Sequence, residues 1–305
     1  MVNKILIPPI KCQGIKTKLV PLILANAQVQ EEGLWIEPFM GSAVVGLNAR
    51  QKRALFADLN PHIVNLYAAL KSHSVTPYSA RAHLENEGNL LKERGGVHYY
   101  FVRERFNCYG DPLDFLFLSR SCFNGMIRFN SKGGFNVPFC KKPERFSKAY
   151  ITKIINQLDR FNDLIKFSEW SFVCQDFEIT IGSATENDLI YCDPPYLGRH
   201  VDYFNTWKEE DERRLFRCLS STRARFILST WHSNKYRSND SLKLLWSQFH
   251  IVTQEHFYHV GAKEENRNAM LEALVMNFEP PCDKIEKRIH IQETLFEKLF
   301  DPTHH

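Results

Sequence analysis

Long apolar runs are missing from this sequence. No stretch approaches the roughly 18 residues that a membrane-spanning helix needs. Lys4 is followed only by the short ILIPPI of residues 5–10, so no secretory signal is read at the N-terminus. CxxC pairs are missing too. The eight cysteines, Cys12, Cys108, Cys122, Cys140, Cys174, Cys192, Cys218 and Cys282, are scattered. They spell no zinc knuckle or redox dithiol and read as free, mostly buried thiols in a reducing cytosol. His256 and His259 stand three apart with no third ligand nearby, so no metal is expected. His304-His305 is given no functional reading. Neither GxxxxGK[ST] nor GxGxxG occurs, which disfavours a P-loop triphosphate site. Strong charge bias is absent as well. Lys and Arg total 39 against 35 Asp and Glu, a net +4 that permits a polyanionic partner without requiring one.

What remains is an ordinary globular composition. The chain has 305 residues, 44% hydrophobic and 24% charged, enough for a large α/β core carrying an insertion. An apolar-periodic helix runs through Leu19, Leu22, Ile23 and Ala27. Leu34–Ile36 is a short strand, residues 43–49 start a helix, and Ala54–Ala57 is a strand ending at Asp58. Asn60-Pro61 opens the next helix. A strand–loop–helix–strand unit with an acid at its tip begins a doubly wound sheet. Residues 71–165 break that rhythm with helical stretches rich in Arg, Lys, Asn and aromatics. It resumes with strands at 170–174, 189–192, 225–229 and 273–277, and helices at 209–219 and 241–249. The expected organisation is residues 1–70 and 166–285 as two parts of one catalytic domain, 71–165 as a mainly helical inserted recognition domain, and 286–305 as a tail.

Two constellations carry chemistry. Glu37-Pro38-Phe39-Met40-Gly41 follows the first strand, where a glycine lets a ligand approach the backbone. Asp58 ends the second strand, where an acid can bind both hydroxyls of a ribose. Together they point to an adenosine-containing ligand. Asp193-Pro194-Pro195-Tyr196 ends the strand Leu189–Cys192. A turn explains one proline but neither the acid nor the ring. A catalytic slot explains all four. A carboxylate and a rigidly held carbonyl accept the two N–H bonds of an aromatic amine and draw its nitrogen toward tetrahedral geometry, while the tyrosine stacks on the base.

This tetrapeptide, with Pro38-Phe39-Met40-Gly41 upstream, resembles the amino-methyltransferases that use S-adenosylmethionine on exocyclic amines in DNA. The order of motifs, the segment Leu118–Phe139 (LSRSCFNGMIRFNSKGGFNVPF), Asp58-Leu59-Asn60-Pro61, Arg103–Asn107, Asp176-Phe177 and Glu272–Asn277 resemble the Dam-type (α-group) adenine-N6 DNA methyltransferases. The likeness spans roughly residues 10–278. It implies a Rossmann-like methyltransferase sheet, S-adenosylmethionine as cofactor and double-stranded DNA as partner. It further implies that Lys11, Gly14 and Lys16 touch the cofactor, that Glu37, Phe39 and Gly41 border its methionine end, and that Asp58 holds its ribose. Asp176 and Phe177 would flank its adenine, and Asp193–Tyr196 would bind the target adenine. Cys12-Gln13-Gly14-Ile15 and Ala43 depart from the family pattern, which bears on the cofactor contacts and not on the tetrapeptide.

Within 119–139, Arg120, Arg128 and Lys132 are candidates for phosphate or guanine contacts, and Asn124, Asn130 and Asn136 offer amides. Phe123 and Phe129 are candidates to stack on or wedge between bases. Residues 199–207, with His200, Tyr203 and Phe204, have the length of a lid. The expected target is a short site containing GA, such as GATC, with or without a restriction endonuclease sharing it. A cytoplasmic monomer is expected. The alternatives are a cytosine-N4 methyltransferase, an enzyme acting on RNA or protein glutamine, and a DNA-binding homologue with weakened cofactor binding.

Overall fold

The computed structural model describes residues 4–12, 14–197, 207–235, 237–257 and 269–281. The 199–207 lid, apart from Trp207, the tail at 286–305, Cys282, His259 and the His256 side chain lie outside the described residues.

Seven strands form one sheet: β1 Trp35–Glu37, β2 Arg53–Asp58, β3 Glu169–Cys174, β4 Leu189–Cys192, β5 Arg225–Asn234, β6 His250–Phe257 and β7 Ala269–Met276, in the order β3-β2-β1-β4-β5-β7-β6. The first five in that order run parallel, and β7 is antiparallel to both of its neighbours. The fold is therefore α/β and doubly wound, as expected. From β1 the chain winds outward through β2 to β3, then returns to lay β4 on the other side of β1. That reversal creates a crevice at the carboxyl ends of β1 and β4, where open α/β sheets bind ligands.

Strand alternation distributes side chains to the two faces. Trp35, Leu189 and Tyr191 join one apolar core, and Ile36, Ile190 and Cys192 join the other. All four residues of β4 are buried, as a strand covered on both faces requires. Helices α1 Val20–Asn26, α2 Val44–Ala49 and α3 Pro61–Lys71 belong to the first half of the chain. Then come α4 Pro77–Arg94, α5 Gly96–Tyr109, α6 Pro112–Ser121 and α7 Lys148–Ile165. The second half adds α8 Phe177–Gly182, α9 Glu209–Ser221 and α10 Asp240–Leu244. Helix starts follow sequence logic: Asn60, Thr76 and Asp111 cap helices whose first residue is proline.

The inserted helices share the core of the sheet's first face. Leu84, Phe106, Phe115 and Leu158 belong to the same cluster as Phe56 and Trp170. Phe161 of α7 meets Tyr67 at 5.3 Å and Trp170 at 6.4 Å between ring centroids. Between α6 and α7 the chain forms a hairpin, marked by bridges Cys122–Phe139 and Phe129–Phe135. Some elements depart from expectation. Helix α10 stops at Leu244, short of 249, β5 runs on from Ser229 to Asn234, and α8 and β6 were not foreseen.

Candidate active site

A cavity of about 190 Å³ opens at the carboxyl ends of β1, β2 and β4, at the crevice that the topology creates. Glu37, Phe39 and Gly41 reach it from β1, Asp58 and Asn60 from β2, and Asp193 and Pro195 from β4. Gly14 and Lys16 close it from the N-terminal segment, and Phe177 and Trp207 from the far side.

The strand-end acids are held differently. Asp58 accepts the Gly41 N–H at 2.9 Å on Oδ2 and the Asn60 N–H at 2.9 Å on Oδ1. This ties the two ligand loops together and leaves further lone pairs on both oxygens. Gly41 has φ +45° and open space where a Cβ would stand, so its backbone faces the cavity unobstructed. Glu37 is 1% exposed and accepts from Trp35 Nε1 at 2.9 Å. Burial pushes its pKa up to about 8. A Cβ on Gly46 would collide with the Phe56 ring and stand 2.8 Å from Glu37 Oε1, so glycine is what lets α2 lie against this acid. Ala43 takes φ +56°, the left-handed conformation that glycine favours.

Asp193 is 23% exposed, with Lys16 Nζ 2.7 Å from Oδ1. The contact is a close ion pair between the N-terminal segment and the end of β4. Burial raises the Asp193 pKa, Lys16 pulls it back, and Glu272 adds to the rise. The Lys16 ammonium also lies 4.9 Å from the Tyr196 ring centroid, a cation–π contact. The Tyr196 hydroxyl donates to Glu272 Oε2 at 2.8 Å. Glu272, on β7 and 2% exposed, thus fixes the plane of the ring beside Asp193. The sequence placed Glu272 in a matching segment but gave it no role in the site.

Not every expected residue meets the cavity. Lys11 does not line it; its aliphatic stem instead covers Gly125 in the short turn Phe123–Gly125. Asp176 caps α8 through the Glu178 N–H at 2.8 Å and pairs with Arg214, leaving Phe177 to line the cavity.

The hairpin sorts its residues more sharply. Arg120 is corrected from a DNA contact to a structural cation. It lies in the last turn of α6, 6% exposed, and donates to the Pro9 carbonyl at 2.9 Å and to Gln157 Oε1 at 2.6 Å. Phe129 is 7% exposed and stacks on His62 at 4.9 Å, so it belongs to the core and not to a base stack. Asn130 accepts the Lys132 and Gly134 N–H groups, both at 2.9 Å, and shapes the hairpin tip. Phe123 is 49% exposed, and Asn124 beside it has φ +53°. Arg128 is half-buried, with Nε donating to Asn136 Oδ1 at 2.9 Å, and Lys132 is exposed at the tip.

The family model for D12 class N6 adenine-specific DNA methyltransferases matches residues 13–260. This chain belongs to that family. The match takes in Asp58, the hairpin and the Asp193–Tyr196 tetrapeptide, while Glu272 lies beyond it. Among curated relatives, the DNA adenine methylase of Vibrio cholerae serotype O1 is 35% identical over 165 residues, 53% of this chain and 55% of that protein. Type II methyltransferase M.FokI of Planomicrobium okeanokoites is 28% identical over 80% of this chain and 39% of its own length. The DNA N-6-adenine-methyltransferase of Escherichia phage P1 is 34% identical over 62% of this chain and 25% of its own. The matches thus span about half the length, or less, of these relatives. Among solved structures, an rRNA methyltransferase from Streptomyces viridochromogenes overlays with a TM-score of 0.35 at 14% identity, covering 86% of this chain and 82% of that one. That likeness is too loose to carry weight.

Proposed function

We propose that this D12-class chain transfers a methyl group from S-adenosylmethionine to N6 of an adenine flipped out of duplex DNA. The observation that carries the reading is Asp193. The tetrapeptide sets this acid at the end of β4, on the rim of a cavity whose other acids, Glu37 and Asp58, stand at the ends of β1 and β2. The lining fits the cofactor: the Asp58 and Asp193 carboxylates suit its positive charges, Asp58 keeps lone pairs for a ribose diol, and Gly41 leaves the backbone open. When bound, S-adenosylmethionine supplies an already activated methyl group, so no covalent enzyme intermediate is needed.

The protein's own part is to shape the nucleophile. Asp193 accepts one N–H of the exocyclic amine, and the carbonyl of Pro194, made rigid by the following proline, accepts the other. Tyr196, anchored by Glu272, stacks on the base. Asp193 acts chiefly as an acceptor that raises lone-pair density on N6. Lys16 pairs with Asp193 Oδ1 in this structure, and the incoming amine competes with it for that oxygen.

The DNA is read by the hairpin. Arg128 pairs with a guanine in a site containing GA, of which GATC is one example, and Lys132 meets phosphate. Phe123 and Asn124 fill the space left by the flipped adenine, whose extrusion costs a few kcal/mol. In this reading residues 71–165 recognise the target, and 1–70 with 166–285 bind cofactor and carry the chemistry. The enzyme works as a cytoplasmic monomer, alone or beside an endonuclease sharing its site. Curated relatives named as Type II or modification methylases support the latter setting.

The test is methyl transfer from isotopically labelled S-adenosylmethionine to plasmid DNA, with the modified nucleoside identified. N6-methyladenine, lost in Asp193→Ala, supports the reading. N4-methylcytosine, or no modification of DNA, overturns it.

A further inference from the structure

We infer that Trp207 is a wall of the cofactor's purine site and that Glu212 is the positioning residue that holds it there. The inference rests on the proposed use of S-adenosylmethionine and adds a binding residue and its support. Trp207 lines the cavity together with Phe39 and Phe177. Its ring lies 5.6 Å from Phe39 at 80° and 5.7 Å from Phe177 at 53°, while Phe39 and Phe177 stack on each other at 5.3 Å. These three rings form one aromatic patch of the cavity wall, and a planar purine is the part of the cofactor that such a surface takes.

Glu212 explains why the indole stays there. It stands in the first turn of α9, 7% exposed, with both carboxylate oxygens engaged. Trp207 Nε1 donates to Oε2 at 2.9 Å and Trp246 Nε1 donates to Oε1 at 3.0 Å. Trp246 is fully buried among Phe216, Phe226 and Phe249. The carboxylate is therefore a clamp from the second core to the cavity wall. No described lysine or arginine pairs with it, and burial raises its pKa. Burying an acid between neutral donors is unfavourable, and the amino end of α9 offsets only part of that cost. An apolar residue would pack this position with less penalty but would not fix the indole edge. A wall held before the ligand arrives loses little side-chain freedom on binding.

The probe is S-adenosylhomocysteine, bound to the full chain and followed by calorimetry and by intrinsic fluorescence. The other four of the five tryptophans, Trp35, Trp170, Trp231 and Trp246, are all buried and do not line the cavity. The wild type is expected to change its emission on binding, and Trp207→Phe to lose most of that change while still binding. Trp207→Ala is expected to weaken binding about 10- to 100-fold, the range that loss of one base–aromatic stack gives. Glu212→Gln keeps the ring but spoils one of the two indole hydrogen bonds. It is expected to raise the cofactor KM roughly 5-fold, with kcat at saturating cofactor and the KM for DNA little altered. Undiminished ligand-dependent emission in Trp207→Phe would overturn the inference, even if Trp207→Ala fails to fold. So would unchanged binding by Trp207→Ala. A wild-type protein that binds S-adenosylhomocysteine with these variants indifferent refutes this inference alone. A wild type that does not bind it refutes the proposed cofactor as well.

Discussion

Replacing Arg120 by methionine separates a structural cation from a DNA contact. The guanidinium donates to the Pro9 carbonyl and Gln157 Oε1 from a site that is 6% exposed. Methionine keeps most of the volume but leaves both acceptors without that donor. Each buried orphan costs about 1–3 kcal/mol, so the loss is roughly 2–6 kcal/mol. Relief from burying a charge, which lowers the Arg120 pKa in the folded chain, returns part of it. The net loss is about 2–4 kcal/mol. At ~2–4 °C per kcal/mol for a domain of this class, the melting midpoint falls by roughly 4–16 °C. The carbonyl belongs to the segment that leads to Gly14 and Lys16, so the cofactor KM should rise as well. Thermal melts, with duplex binding titrated against salt at a temperature where the variant is folded, decide the matter. Affinity for duplex and its salt slope should stay as in the wild type. An unchanged melt with a salt slope smaller by about one charge would refute the assignment, because that is what a lost phosphate contact does.

Arg128→Ala should lose discrimination between matched and guanine-substituted sites, by about 1–3 kcal/mol in binding, whereas equal loss on both would demote Arg128 to a phosphate contact. Glu37 predicts a pH dependence. Its folded pKa of about 8 lies above the ordinary 4.5, so the folded chain holds this proton more tightly than the unfolded one. Its contribution to stability is full below about pH 4.5, declines as pH rises from there through 8, and totals about 5 kcal/mol. Glu37→Gln should remove that decline in urea midpoints between pH 5.5 and 8.5; an unchanged slope would contradict the burial argument. Ala43→Gly relieves a left-handed alanine but loosens the unfolded chain, for a net gain of roughly 0.5 kcal/mol in chemical denaturation.

The sequence carried the parts of this account that are local. Strand ends and proline-led helix caps are spelled by neighbouring residues, and β4 ends just before the tetrapeptide, of which Asp193 and Pro195 line the cavity while Pro194 and Tyr196 do not. Contacts between distant segments were not spelled. Nothing in the tetrapeptide announces that Lys16 would meet Asp193 or that Glu272 would hold Tyr196. Arg120 was misread because its neighbours Arg128 and Lys132 are polar hairpin residues, while Arg120 itself ends α6, behind the fully buried Phe115–Leu118. Phe129 was misread because aromatic content alone does not tell a stacking ring from a core ring; alternation along the hairpin points it inward at His62. Strand β6 is not legible because it is an edge strand: none of residues 250–255 is buried, and His250, Thr253, Gln254 and Glu255 interrupt any apolar run.

The central claim is that Asp193, at the end of β4, shapes an adenine amine for methylation. Single-turnover transfer from S-adenosylmethionine to a GA-containing duplex, with the product base identified, measures it most directly. The account predicts N6-methyladenine from the wild type and a rate about 10²–10³-fold lower, or less, from Asp193→Ala, with duplex and cofactor binding retained. An Asp193→Ala protein that methylates adenine at the wild-type rate, or a wild-type protein whose only product is N4-methylcytosine, would contradict it.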